Sequence, residues 1–98
     1  MARLVWTERA LGDLQALLEF IERDSPLAAR RFAQQIMVRV ERLQAFPLYG
    51  GLVAEDETRR YREVLQGNYR VIYRADKERV YLVAVHHAAR LLQPSDLE

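Results

Sequence analysis

Three side chains in the second half of the chain are of the types that cleave RNA without a metal ion. Glu63 can serve as a general base, and His86 or its neighbour His87 as a general acid. Arg70 can stabilise the negative charge that develops on a phosphate attacked by a 2′-hydroxyl. The same residues also have structural interpretations, because a strand arginine pairs with an acid or an aromatic ring across a sheet and a strand-end histidine hydrogen-bonds the backbone. The sequence leaves both interpretations open.

Metal and cofactor chemistry are not indicated. The chain has no cysteine and only two histidines. These are adjacent, so on a strand His86 and His87 point to opposite faces and are poorly placed to share one metal ion. No Ser-His-Asp arrangement, Walker loop or dinucleotide-binding fingerprint is present. We therefore expect no metal and no cofactor.

The composition is that of a small globular protein. The 98 residues predict a single domain spanning 1–98, and half of them are hydrophobic while 30% are charged. Without a membrane-length apolar run or a signal-like opening, we expect a cytoplasmic protein that contacts no membrane. All basic residues except Lys77 are arginine, but the net charge is only +1. Any binding of a polyanion must therefore come from a local patch.

The first half of the chain predicts a helical hairpin. Apolar residues at helical spacing, from Leu11 to Ile21, predict an amphipathic helix over 7–23. Ser25 and Pro26 are typical of the N-cap and first position of a second helix, which the apolar stripe extends over 26–45.

The second half predicts strands, because the apolar period changes from 3.6 to 2. We expect strands over 59–65, 69–75 and 79–86, joined by short turns into an antiparallel meander. A further short strand is expected at 3–6, and the tail over 87–98 is expected to be a loose turn or short extension ended by a proline. The resulting α+β fold has the order β-α-α-β-β-β, with the helical hairpin packed on one face of a small, mainly antiparallel sheet.

Strand alternation distributes the candidate residues between the two faces of this sheet. It places His86 on the same face as Leu82 and Ala84, and His87 on the other face with Val83. One face must meet the helices, and the other is expected to remain a shallow surface of arginines, tyrosines and one histidine. Alternation does not decide which face is which, because that depends on the register.

An ordered set of short motifs resembles the RelE/ParE superfamily of toxins from bacterial type II toxin–antitoxin systems. The resemblance covers nearly the whole chain and implies the same β-α-α-β-β-β fold. The motifs that carry it are Val5-Trp6-Thr7, Asp13-Leu14, Asp24-Ser25-Pro26, Phe46-Pro47 with Gly50, Arg62-Glu63, Tyr69 to Arg74, and Val80 to Val85 followed by His86.

Two branches of this superfamily imply different activities. The RelE-like branch cleaves messenger RNA on the ribosome, and Arg70 matches its catalytic arginine. This chain has Tyr61 and Glu63 where RelE-like enzymes carry lysines. Glu63 and Arg70 with His86 or His87 instead resemble the acid–base set of the sister branch YoeB. The resemblance thus keeps a ribosome-dependent endoribonuclease, with Glu63, Arg70 and His86 as its catalytic residues, as the alternative function.

The other branch is ParE-like, also described as plasmid-stabilising, and its toxins poison DNA gyrase through a protein–protein contact without catalytic residues. The close-packed hairpin, the break at Phe46-Pro47 with Gly50, and the Arg62-Glu63 strand resemble this branch more closely. The resemblance therefore implies a gyrase-inhibiting toxin rather than an enzyme.

Either branch implies a cognate antitoxin and a hetero-oligomeric complex. For a ParE-like toxin the partner is expected to be a ribbon-helix-helix protein of the ParD type, whose disordered segment folds on the toxin. An acidic segment would be anchored by arginines clustered in the meander and just after it. These candidate antitoxin-binding residues are Arg60, Arg62, Arg70, Arg74 and Arg90.

Overall fold

The structure is a computed structural model that describes residues 1–97. These residues form two α-helices and five strands, in an α+β arrangement that confirms the predicted fold class. The elements are β1 (Arg3–Trp6), α1 (Glu8–Asp24), α2 (Pro26–Ala45), β2 (Gly51–Leu52), β3 (Arg62–Gln66), β4 (Tyr69–Ala75), β5 (Arg79–His87) and a short 3-10 helix (Pro94–Leu97).

Local capping explains the helical hairpin. The hydroxyl of Thr7 accepts the backbone N–H of Ala10 at 3.1 Å, which caps α1. Ser25 has two roles, since its backbone N–H closes α1 on the carbonyl of Ile21 and its hydroxyl accepts the N–H of Ala28 at the start of α2. With Pro26 as the first residue of α2, one residue separates the helices and the chain reverses sharply.

The five strands form one mixed sheet in the order β1-β5-β4-β3-β2. β1 lies parallel to β5 because the helical hairpin returns the chain across the sheet. The remaining pairs are antiparallel, which confirms the predicted meander. β2 was not predicted, because two residues are too few to show an alternating pattern.

The first meander strand starts three residues later than predicted. We expected it to begin at Arg59, but β3 begins at Arg62. The carboxylate of Asp56 accepts the backbone N–H groups of Arg60 and Tyr61 at 2.9 and 3.0 Å, and Arg59 has a left-handed φ of 61°. The connector between β2 and β3, residues 53–61, therefore turns here and cannot join the sheet.

A β-bulge in β5 overturns the predicted distribution of side chains between faces. Tyr73 pairs with Leu82, but the adjacent Ile72 pairs with Ala84, so Val83 is an extra residue. Val83 and Ala84 both belong to the apolar cluster on the side away from the helices. The prediction that His86 shares a face with Leu82 is therefore wrong, since the bulge reverses every position that follows it.

Apolar residues are buried on both faces of the sheet. The larger cluster lies between helices and sheet and contains fully buried side chains such as Ile36, Leu43 and Tyr73. The smaller cluster lies on the opposite face, where Val53 from the connector and Leu92 from the C-terminal segment cover the strands. The expected shallow open surface is therefore wrong, because the chain covers this face itself.

Within residues 1–97, no helix is both long enough and apolar enough to cross a membrane.

Candidate functional site

The three predicted catalytic residues lie on the face of the sheet away from the helices. On β4, Arg70 stands directly opposite His86 of β5. Glu63 of β3 is opposite the neighbouring Ile72, so its side chain emerges on the same face as that of Arg70. The guanidinium of Arg70 donates from Nη2 to Glu63 Oε1 at 2.6 Å and from Nε at 2.9 Å.

A second carboxylate, which the sequence did not indicate, completes the coordination of Arg70. Glu55 lies in the connector, and its two oxygens accept Nη1 and Nη2 of Arg70 at 2.8 Å each. The arginine side chain is only 9% exposed. These charge-assisted hydrogen bonds lower the pKa of Glu55 to about 2 and raise the pKa of Arg70. Arg70 is therefore held by two acids at once.

The C-terminal segment after β5, residues 88–97, contacts this cluster and the connector. The backbone N–H of Leu92 donates to Glu55 Oε2 at 3.1 Å, and the Leu92 side chain is buried in the smaller apolar cluster. Tyr61 donates its hydroxyl to the carbonyl of Leu97 at 2.6 Å. Arg9 of α1 pairs with Asp96 at 2.9 Å, so this segment is attached to both the connector and the first helix.

The two histidines have different environments. His87 Nδ1 accepts the backbone N–H of Ala89 at 3.0 Å, and its ring meets Tyr69 edge-on at 5.1 Å between centroids. His87 thus fits the structural interpretation of a strand-end histidine. In the part of the chain that the structure describes, the buried Nε2 of His86 has no hydrogen-bond partner. Both histidines line a cleft of about 600 Å³ beside Phe20 of α1.

The chemistry of this cluster follows from its charges. Arg70 carries one positive charge, and Glu55 and Glu63 together carry two negative charges, so the group as it stands is acidic. A phosphate placed here would meet two carboxylates, and all three nitrogen atoms of the guanidinium already donate hydrogen bonds. In this arrangement the guanidinium of Arg70 is paired with Glu55 and Glu63 rather than open to a phosphate.

The predicted antitoxin-binding arginines separate into three places. Arg60, Arg62 and Arg74 come together around a depression of about 320 Å³. Arg70 is buried in the acidic cluster, and Arg90 lies at the cleft beside the two histidines.

Arg59 also lines the depression, although sequence reasoning did not include it. The predicted strand over 59–65 puts Arg59 and Arg60 on opposite faces of the sheet. The turn signal that could have placed it in the depression is the Asp-Glu-Thr stretch just before it.

Among residues 1–97, no three histidine or acidic side chains converge as ligands for a metal ion.

Comparison with known proteins identifies the family. The family model for the ParE toxin of type II toxin–antitoxin systems matches residues 4–92. The toxin RelE2 of Caulobacter vibrioides is 39% identical over 92 residues, which is 93% of this chain and all of that protein. A solved chromosomal ParDE toxin–antitoxin system from P. aeruginosa shares the fold, with a TM-score of 0.71, 21% identity, and coverage of 89% of this chain and 96% of that one. The chain therefore belongs to the ParE/RelE family of toxins from type II toxin–antitoxin systems.

Proposed function

We propose that this protein inhibits growth by binding and poisoning DNA gyrase in the cytoplasm, and that a cognate ParD-like antitoxin neutralises it in a hetero-oligomeric complex. The observation that carries this proposal is the double pairing of Arg70. The guanidinium that a nuclease of this superfamily would use on a phosphate is bound to Glu55 and Glu63, and Glu55 in turn accepts the backbone N–H of Leu92.

Freeing Arg70 for a phosphate has an energetic cost. Glu55 would have to withdraw, and separating this acid from the largely buried Arg70 costs about 2 kcal/mol before any contact with the phosphate is made. The hydrogen bond from the backbone N–H of Leu92 to Glu55 would also be lost. A toxin that acts through its surface needs neither rearrangement, so the closed cluster favours action by contact.

The outer surface of the protein is suited to such contacts. Several large apolar side chains on the helices and in the loop after α2 are exposed to solvent. Such side chains are usually buried when two proteins bind each other, so their exposure is typical of an interaction surface. They are Leu11, Phe20, Leu27, Met37, Val38, Phe46, Leu48 and Tyr49. We propose that gyrase and the antitoxin contact parts of this surface, with Arg60, Arg62 and Arg74 available to the antitoxin's acidic residues.

Ribosome-dependent cleavage of messenger RNA is the second candidate. It is favoured by two observations: Glu63, Arg70 and His86 share one face of the sheet, and His86 Nε2 has no hydrogen-bond partner in the described residues. This activity requires a form in which Glu55 and the C-terminal segment have moved away from Arg70.

The two candidates predict different damage in cells. The toxin should be induced with and without its antitoxin gene, while chromosomal DNA breaks and messenger RNA ends are mapped from the same culture. Gyrase poisoning predicts early DNA breaks and intact messages, both suppressed by the antitoxin. Early cuts in messages with an intact chromosome would contradict the proposal and support the nuclease.

A further inference from the structure

Four arginines surround one depression at the start of β3 and the end of β4. Arg59 and Arg60 come from the connector, Arg62 from β3 and Arg74 from β4, and the remaining lining is Leu48 and Ala75. The whole chain has a net charge of only +1. The depression is therefore a strong local concentration of positive charge on a nearly neutral protein.

Neutral groups hold two of these arginines in place. The Nη1 of Arg62 donates to the carbonyl of Gly50 at 2.8 Å, and the guanidinium of Arg74 lies 4.0 Å from the ring centre of Tyr81. Asp76 lies close enough to Arg74 for their charges to interact, but within residues 1–97 no carboxylate forms an ion pair with any of the four arginines.

A hydrogen-bonded turn in the connector positions the backbone of Arg59 and Arg60. Asp56, three residues before Arg59, uses its carboxylate on the backbone N–H groups of Thr58, Arg60 and Tyr61. Arg59 holds a left-handed φ of 61°, which is unfavourable for a residue with a side chain. Such strain persists where the surroundings enforce it and is concentrated at functional sites.

The composition of the lining distinguishes among anionic ligands. Peptide-binding sites combine charged residues with an apolar pocket that anchors a side chain, but here only Leu48 and Ala75 are apolar. Guanidinium groups bind phosphate oxygens through paired N–H donors. A nucleic-acid strand also supplies one negative charge at every nucleotide, which suits several cations in a row.

We propose that this arginine depression binds the phosphodiester backbone of a nucleic acid. The inference goes beyond the proposed function, because it concerns a ligand of the free toxin and not the identity of its protein target. The backbone is recognised without reading its sequence, so affinity should depend on salt and hardly on base composition.

The test is direct binding of antitoxin-free toxin to short labelled single-stranded and double-stranded DNA at near-physiological salt. The depression variant is Arg59→Gln with Arg60→Gln. Its matched control is Arg30→Gln with Arg31→Gln, two exposed adjacent arginines on α2 that remove the same charge elsewhere. We expect the depression variant to lose roughly tenfold in affinity and the slope of log affinity against log salt to fall by about two. The control should change little.

Three outcomes overturn the proposal. One is no binding by the wild-type toxin, and another is an equal loss in both double variants, which would indicate general charge attraction. The third is a polyglutamate of equal charge that displaces DNA as well as unlabelled DNA does, which would mean that the depression serves only carboxylates such as those of the antitoxin and has no preference for phosphate. Circular dichroism of all variants checks the fold. Gyrase inhibition is read separately, so failure here leaves the proposed function standing.

Discussion

Arg70 and Glu55 form a two-point ion pair between the sheet and the connector, with both N···O distances 2.8 Å. The pair lies where a catalytic arginine was predicted to meet a phosphate. Because Glu55 also accepts the N–H of Leu92 at 3.1 Å, one carboxylate joins the central strand, the connector and the C-terminal segment. Arg70, which matches the catalytic arginine of the RelE-like branch, is thus one of the residues that connect these three parts of the fold.

Removing the charge of Glu55 should destabilise the protein. Glu55→Gln leaves Arg70, a largely buried cation, with one acid instead of two, and we expect a loss of about 2 kcal/mol in the free energy of unfolding. Glu57→Gln is the matched control, because Glu57 is exposed in the same connector. Urea unfolding measures both. Equal stabilities of the two variants would show that the pair contributes nothing.

The same pair should make stability depend on acid. The pKa of Glu55 in the folded protein, about 2, is below its ordinary value of 4.5. As the pH falls, Glu55 therefore takes up a proton in the unfolded chain before it does so in the folded protein. The stabilisation is complete above about pH 4.5 and is lost as the pH falls towards 2. The difference in unfolding free energy between wild type and Glu55→Gln should therefore shrink across this range. Parallel stability curves would contradict the assignment.

A buried tyrosine requires glycine at the turn before β2. The Gly50 N–H donates to the hydroxyl of Tyr73 at 2.8 Å, and that hydroxyl donates to the carbonyl of Pro47. A Cβ on Gly50 would lie 2.6 Å from the carbonyl oxygen of Glu63 and 2.7 Å from the tyrosine ring. We expect Gly50→Ala to cost roughly 1–3 kcal/mol through overpacking.

The next residue provides the control for this change. A Cβ on Gly51 meets nothing within 4 Å, so Gly51→Ala should be nearly neutral in the same thermal or urea unfolding experiment. If both alanine variants unfolded at the same midpoint, the close packing around Gly50 would not be the reason for the glycine.

His86 should be dispensable for toxicity. Its Nε2 is buried without a hydrogen-bond partner in the described residues, so His86→Ala breaks no side-chain hydrogen bond through that atom and removes the proposed general acid. We expect growth inhibition close to that of wild type. Loss of toxicity together with loss of message cleavage, in a variant with an unchanged circular dichroism spectrum, would instead identify His86 as catalytic.

The parts of the fold that could be predicted depend on local signals. Ser25-Pro26 determined where one helix ends and the next begins, and the change of apolar period located the meander. The bulge at Val83 could not be predicted, because it lies in a run of apolar residues that is compatible with either face. That single extra residue reversed the faces of β5 and moved His86 beside Arg70.

Only part of the candidate site could be predicted from the sequence. Glu63 and Arg70 were expected to be near each other, since a strand pair joined by a short turn brings them together. The contribution of Glu55 depends on the path of a long connector and of the C-terminal segment, neither of which has a repeating pattern. The long-range contacts that neutralise Arg70 therefore had no sequence signature.

The central claim is that this toxin acts on gyrase by contact. The most direct test titrates antitoxin-free toxin into gyrase supercoiling and DNA-cleavage reactions, with translating ribosomes treated in parallel. We predict that supercoiling stops, cleaved DNA accumulates and messenger RNA stays intact. Message cut on the ribosome while gyrase continues to supercoil DNA would contradict the account and make Glu63, Arg70 and His86 the active site.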